Sequence, residues 1–314
     1  MKKYKGIFLA DIHIGDMPRD QLKHEFEEVI YPFISRHDLD FVIFAGDYFG
    51  HKLYLNDENT VLASMILQEI DARLKPEAKI RMVYGTESHE ENQYGPFKGM
   101  LDRDFKVLRT FDEEELFPDL LVTYIPEELL EDPEDYYDTQ WKITQRPDLI
   151  VGHGTIREAM QKAASAIEDK RNVKRRVPVF RTGDLRRQTD GLVVFGHYHV
   201  HTVLDPLMMY VGSFSRWKFG EEEAKGFLYA EYDASDHSWT HEFIENTYAP
   251  VYKTVGFGYQ NTIFQSLDEL KKKIMEEPDK ISSSIKEEIL DKFSFERFST
   301  SIITYIENDF KKQK

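Results

Sequence analysis

Asp11 and His13 flank Ile12, Asp47 follows Gly46, His153 follows Gly152, and His197 and His199 flank Tyr198; with His89 these make seven residues of the types that hold or serve divalent cations. Singly, each has a bland reading as a loop carboxylate or a solvated imidazole. Position joins them. Each lies at or shortly after the end of a short apolar run, at 7–10, 41–44, 80–84, 149–151 and 192–195, and the crevice outside the carboxyl ends of strands is where an α/β sheet binds ligands. Two divalent ions about 3.5 to 4 Å apart need a bridging carboxylate, several neutral imidazoles and open positions for water and substrate oxygens. The reaction served by such a set is phosphoester hydrolysis. A histidine near the ions but not bound to them then protonates the departing oxygen. His197 and His199, two residues apart, are expected to point to one side of a continuing strand.

The elements that must position these side chains follow from periodicity. Runs of Val, Ile, Leu and Phe that stop at Gly, Asp or His read as buried strands. Between them Leu22, Phe26, Ile30, Phe33 and Ile34 share one helical face, as do Leu62, Met65, Ile66, Ile70 and Leu74, so the chain reads as βαβ units. After Gly196 the runs 208–211, 226–232 and 239–244 are shorter, with turn chemistry between them, which predicts a second, more antiparallel sheet. The stretch 112–138, where every charge is negative and Pro118, Pro126 and Pro133 fall, reads as an exposed connection. His51 reads as a solvated loop histidine. His201 continues the alternation of His197 and His199 and is expected to hydrogen-bond near the ligands rather than to bind metal.

In their order these motifs resemble those of the calcineurin-like metallophosphoesterases, over roughly residues 4–250. The resemblance implies an α/β fold, a two-sheet αββα sandwich, across 1–250. It implies Asp11, His13 and His199 as ligands of one metal, His153 and His197 as ligands of the other, Asp47 as the bridge, and His89 as the catalytic histidine. One motif departs. Where the family has Gly-Asn-His-Asp/Glu, this chain reads Gly85-Thr86-Glu87-Ser88-His89-Glu90. Ser88 takes the place beside the histidine and is the expected substitute ligand, with Glu87, Thr86, Asn92 or a water as the alternatives. The segment Tyr210-Val211-Gly212-Ser213-Phe214-Ser215-Arg216, with Phe219-Gly220-Glu221 and Lys225-Gly226-Phe227, is similar to the segment after the last histidine motif in SbcD-type nucleases, the DNA-repair subunits that work with an SMC-like ATPase. That likeness implies a manganese-dependent DNA exonuclease, with endonuclease activity as a further expectation, and an SbcC-like ATPase as partner. A stand-alone phosphatase or cyclic-nucleotide phosphodiesterase, and a structural subunit with a degenerate metal site, are the competing readings.

Composition bounds the choices. The net charge of −16 opposes nucleic-acid binding by the chain as a whole, but Lys170, Arg171, Lys174, Arg175, Arg176, Arg181, Arg186 and Arg187 face only Asp184 within 170–187. This basic segment, Lys170 to Arg176 above all, is the expected DNA contact. With no cysteine, metal must be held by His, Asp, Glu, Asn or hydroxyl oxygen, a set that suits manganese, iron or zinc. No apolar run approaches the roughly 20 residues of a membrane span, and the N-terminus lacks a signal-peptide pattern, so a cytoplasmic protein is expected. Residues 251–314 read as a short linker and a helical appendage. Ser284-Ile285-Lys286-Glu287 has capping-box spacing, and Phe298, Ile302, Ile303, Ile306 and Phe310 form an apolar stripe suited to docking on the ATPase, on a second copy or on the chain's own body.

Overall fold

The runs 41–45 and 192–196 are buried at every position, which only a sheet covered on both faces allows. The computed structural model describes residues 2–54, 56–90, 93–97, 99–101, 103–129, 143–159, 177–217 and 221–251. In chain order these form β1 (Lys3–Leu9), a helical segment of α1 (Arg19–Glu25), a π turn (Phe26–Ile30) and α2 (Tyr31–His37), then β2 (Phe41–Ala45), α3 (Glu58–Arg73), β3 (Lys79–Val83) and β4 (Asp104–Leu108). A hairpin of β5 (Asp112–Phe117) and β6 (Leu120–Ile125) follows, then β7 (Leu149–His153), the two-residue strands β8 (Thr155–Ile156) and β9 (Val179–Phe180), and α4 (Thr182–Gln188). The rest is β10 (Leu192–Gly196), β11 (Thr202–Asp205), β12 (Met208–Tyr210), β13 (Gly226–Asp233) and β14 (Ser238–Glu245).

Two six-stranded mixed sheets result, ordered β14-β13-β1-β2-β3-β4 and β11-β12-β10-β7-β6-β5. In the first, β1 to β4 are parallel and β13 runs antiparallel to β1. In the second, β12, β10, β7 and β6 are parallel, with β11 and β5 antiparallel at its edges. Phe8, Phe41, Ile43 and Leu228 of the first sheet meet Val122, Val151, Val194 and Met209 of the second. The other face of the first sheet is covered by α1 to α3 through Leu22, Phe26, Ile34, Leu62, Ile66 and Ile70, and α4 covers the second through Leu185. The architecture is the expected α/β two-sheet sandwich. Asp57 starts α3 by accepting a bond from the Asn59 N–H at 2.7 Å. Met65, placed on the apolar face by periodicity, is exposed.

Two expectations need correction. The second sheet does not consist of the strands after Gly196: β5 to β7 belong to it, and β13 and β14 return to the first sheet. The acidic stretch is no bare connection up to residue 125, because β5 and β6 lie within it. The carboxylates of β5 have places to go. Glu114 pairs with the buried Arg81 at 2.6 and 2.8 Å, Glu113 takes bonds from Thr144, and charge along a sheet edge discourages a further strand from adding there. The segments 130–142 and 160–176, with Lys170, Arg171, Lys174, Arg175 and Arg176, lie outside the described residues, as do Asn92 and the appendage from 252 onward. Of the basic residues that are described, Arg186 is bound to Asp205 at 2.8 Å through both of its forked nitrogens and Arg187 pairs with Asp184. Among the described residues no helix is long and apolar enough to cross a membrane.

Candidate metal centre

All seven residues converge on one crevice at the C-terminal ends of β1, β2 and β3 from one sheet and β7 and β10 from the other. Beyond β1 and β2 the backbone pairing runs on, with Asp11 N–H donating to Gly46 O at 3.1 Å and His13 N–H to Asp47 O at 3.1 Å. The chain does so in left-handed conformations: φ is 49° at Asp11, 53° at His13, 49° at Asp47 and 102° at His197. Non-glycine residues held there cost about 1 to 3 kcal/mol each, and such strain collects at functional sites. Gly46 (φ 86°) must be glycine for a second reason, since a Cβ there would lie 2.0 Å from His153 Nδ1.

Among the described residues three groups of ligand-type side chains share members: Asp11, His13 and His199; His13, Asp47 and His89; Asp47, His153 and His197. Within each, one donor atom per residue lies within 4.8 Å of the others. Asp47 is common to two groups. Its Oδ2 is 3.0 Å from His89 Nδ1, 3.4 Å from His153 Nε2 and 4.0 Å from His13 Nε2. Asp11 is fixed by the His197 N–H, 3.0 Å from both of its oxygens.

The outer nitrogens of the imidazoles decide where the lone pairs point. His153 Nδ1 sits 2.8 Å from Ala45 O, and since a carbonyl only accepts, that nitrogen carries a hydrogen and Nε2 is the nitrogen turned inward, open to a proton or, in its place, a metal ion. His199 Nδ1 donates likewise to Glu221 at 3.0 Å, and His197 Nδ1 is backed by Glu127 at 3.6 Å. His199 Nε2 then faces His13 Nε2 at 3.1 Å. This is the tautomer control seen around metal-bound histidines. Ligand atoms about 2.1 Å from one ion stand about 3.0 Å apart along an octahedral edge and about 3.4 Å along a tetrahedral one, so the spacings fit a cation. Electrostatics agree. Burial disfavours charge on His153, yet Asp47 outweighs it and raises its pKa well above the imidazole range. Burial also opposes charge on Asp47, which the surrounding histidines nevertheless hold well below the carboxylate range. A crevice that draws protons onto buried imidazoles draws cations by the same field.

The histidine pair departs from its expected geometry. β10 ends at Gly196, so His197 and His199 sit on a loop rather than on alternate positions of a strand, and their rings go to different groups. His201 bonds Tyr210 O at 2.9 Å and stacks on Phe243. His51 is half-exposed at the rim, 3.0 Å from Asp16, whose other oxygen is 3.4 Å from His13 Nδ1. Ser88 is exposed. In that loop it is Thr86 whose hydroxyl reaches Asp47 Oδ2 at 3.1 Å and His153 Nε2 at 3.4 Å.

Residues that sequence reasoning left without a role surround the centre. Glu90 is fully buried and gathers the Tyr48 and Gly85 N–H groups at 2.6 Å each, locking the loop after β3 to that after β2. Burial, with the charge of Asp47, pushes its carboxyl up to about 7. Lys225 donates to His199 O and Ser213 Oγ at 2.9 Å, and the Trp217 ring lies 5.0 Å from that of His13 and 5.3 Å from that of His199. Glu221, Lys225 and Ser213 all lie in the stretch after the last histidine motif, which was the available signal.

No protein-family model and no curated protein matches the sequence. Among solved structures the chain is similar to a conserved, predicted phosphoesterase from Streptococcus pneumoniae TIGR4, at 14% identity and a TM-score of 0.31 over 74% of this chain and 85% of that one. It is also similar to GAP50, the anchor in the inner membrane complex of Plasmodium, at 16% identity and a TM-score of 0.43 over 90% and 96%. Likeness this distant carries no argument about activity; the centre's own geometry does.

Proposed function

We propose that the chain is a metal-dependent phosphoester hydrolase of the calcineurin-like type, with two divalent cations, manganese first among the candidates, held around Asp47. The observation that carries this is the convergence of Asp11, His13, Asp47, His153, His197 and His199 in one crevice with imidazole nitrogens turned inward. Asp11, His13 and His199 would hold one ion, His153 and His197 the other, and Asp47 would bridge. Bound there, the ions would neutralise phosphate charge and lower the pKa of water. The chain's own residues supply the rest. His89 Nδ1 lies 3.0 Å from Asp47 Oδ2, which orients the partly exposed ring at the edge of the centre, where it would be placed to give a proton to a departing oxygen. Glu127 and Glu221 fix the rings of His197 and His199.

The narrower reading is a DNA nuclease of the SbcD type, cutting phosphodiester bonds in concert with an SMC-like ATPase docked on the helical appendage. Its support is the similarity over 210–227, a segment whose Ser213 N–H, Lys225 and Glu221 all bond His199. One assay tests both levels. Full-length protein, stripped with chelator and reloaded with MnCl2, is offered bis(p-nitrophenyl) phosphate, p-nitrophenyl phosphate and linear duplex DNA. Manganese-dependent release of nucleotides supports the nuclease. Hydrolysis of an aryl ester without DNA cleavage supports the hydrolase and removes the nuclease, and no turnover of any of them with manganese, iron or zinc contradicts both. Charge reversal at Lys174, Arg175 and Arg176 should flatten the salt dependence of DNA binding, because each lost phosphate contact releases fewer counterions.

A further inference from the structure

We infer that the Thr86 hydroxyl is a metal ligand, and that by holding one ion of the pair with a neutral, weakly donating oxygen it makes the two ions bind in sequence rather than together. This rests on the metal-centre reading above and concerns the ion beside Asp47, His153 and His197.

Thr86 is placed by backbone bonds and by packing. Its own N–H donates to Asp47 Oδ1 at 2.6 Å, and the preceding Gly85 N–H donates to the buried Glu90 at 2.6 Å. Gly85 lets the loop come this close, because a Cβ there would lie 2.2 Å from Asp47 N. The hydroxyl is therefore delivered among donors of one group, 3.1 Å from Asp47 Oδ2 and 3.4 Å from His153 Nε2. Those are the separations of neighbouring ligands about one ion. Without a cation the hydroxyl donates to Asp47; with one, its lone pairs can turn toward the charge. Glu87 and Ser88, the neighbouring alternatives in the loop, are exposed.

The two positions are then unequal. The ion beside Asp11, His13 and His199 has a carboxylate of its own besides its share of Asp47, whereas the ion beside His153 and His197 has only the shared carboxylate, two imidazoles and a neutral hydroxyl. Charge on the ligand is what a hard divalent cation prefers. Tight binding belongs to the first position and weak binding to the second.

The test is calorimetric titration of metal-free, full-length protein with MnCl2, checked by the electron paramagnetic resonance of free manganese. The wild type should bind in two classes. Thr86→Val, which keeps shape and backbone bonds but removes the hydroxyl, should weaken the weaker class by at least about tenfold and leave the tighter class alone. Thr86→Ser should retain both, and Thr86→Asn, which offers an amide oxygen, should tighten the weaker class. A hydroxyl that merely steadied Asp47 would give a different pattern: Asp47 serves both ions, so Thr86→Val would weaken both classes alike, and that result would overturn the inference, as would two unchanged classes or a single class in the wild type. Should Thr86→Val fail to fold by circular dichroism, Thr86→Asn decides by whether the weaker class tightens. A wild type that binds no manganese at all would sink the metal-centre reading itself.

Discussion

His13 Nε2 and His199 Nε2 face each other at 3.1 Å, and the far side of the His199 ring is held by Glu221 at 3.0 Å. Burial works against charge on Glu221, but the bond from His199 and the neighbouring Lys225 hold its carboxyl at about 2, so it remains an anion that fixes the orientation of the His199 ring. Glu221→Gln is expected to weaken manganese at the first position by about 10- to 100-fold and to spare the second. Titration calorimetry measures this, and unchanged affinity would confine Glu221 to a packing role.

His89 touches Asp47 through Nδ1 at 3.0 Å and is partly exposed. His89→Ala should lower turnover by about 100- to 10,000-fold while manganese stoichiometry stays that of the wild type. The loss should be smaller for a leaving group that needs no proton, such as p-nitrophenolate, than for an alkoxide. Equal losses on both, or loss of metal, would remove the proton-donor role.

Arg81 on β3 is buried and gives a two-pronged bond to Glu114 on β5, at 2.6 and 2.8 Å, tying the first sheet to the second. Removing one partner of such a pair strands the other. Arg81→Met should cost about 3 kcal/mol of unfolding free energy, and adding Glu114→Leu should recover most of it. Urea denaturation of the two variants reads the difference; a double variant no more stable than the single one would contradict the account.

Glu25 is buried beside the π turn, with Gln21, Ser215 and Asn246 donating to it at 2.6 to 2.9 Å. Burial outweighs these bonds and raises its pKa from the ordinary 4.5. The folded state thus holds this proton more tightly than the unfolded one, so the stabilisation is complete below the ordinary value and is lost as pH rises through the raised one. Glu25→Gln lacks the titration. Its stability deficit relative to wild type, measured by urea denaturation in chelator, should shrink from acid toward neutral pH, whereas a constant deficit would show that Glu25 does not titrate there.

Much of the centre was legible because buried strands must stop at polar residues, and Asp11, Asp47 and His153 stand where β1, β2 and β7 stop. The sequence misleads where its alternation suggests that β10 continues. Beyond Gly196 the chain turns through φ 102° at His197, which sends His197 and His199 to different partners and removes His201 from their row. Ser88 adjoins His89 in sequence, but the turn after Gly85 carries Ser88 outward and brings Thr86 in. Glu127 and Glu221 matter only through rings that reach them from β10, so no local pattern marks Glu127. The β5 hairpin was hidden because its acidic residues are neutralised or carried by a sheet edge, and composition sees the charge but not the partner Arg81.

The most direct test is a crystal of the full-length protein grown with MnCl2 and measured at the manganese absorption edge. Two anomalous peaks about 3.5 to 4 Å apart are expected, with Asp47 between them, one against Asp11, His13 and His199 and the other against His153, His197 and Thr86. A map with no peak at Asp47, in crystals saturated with the metal, would contradict the account.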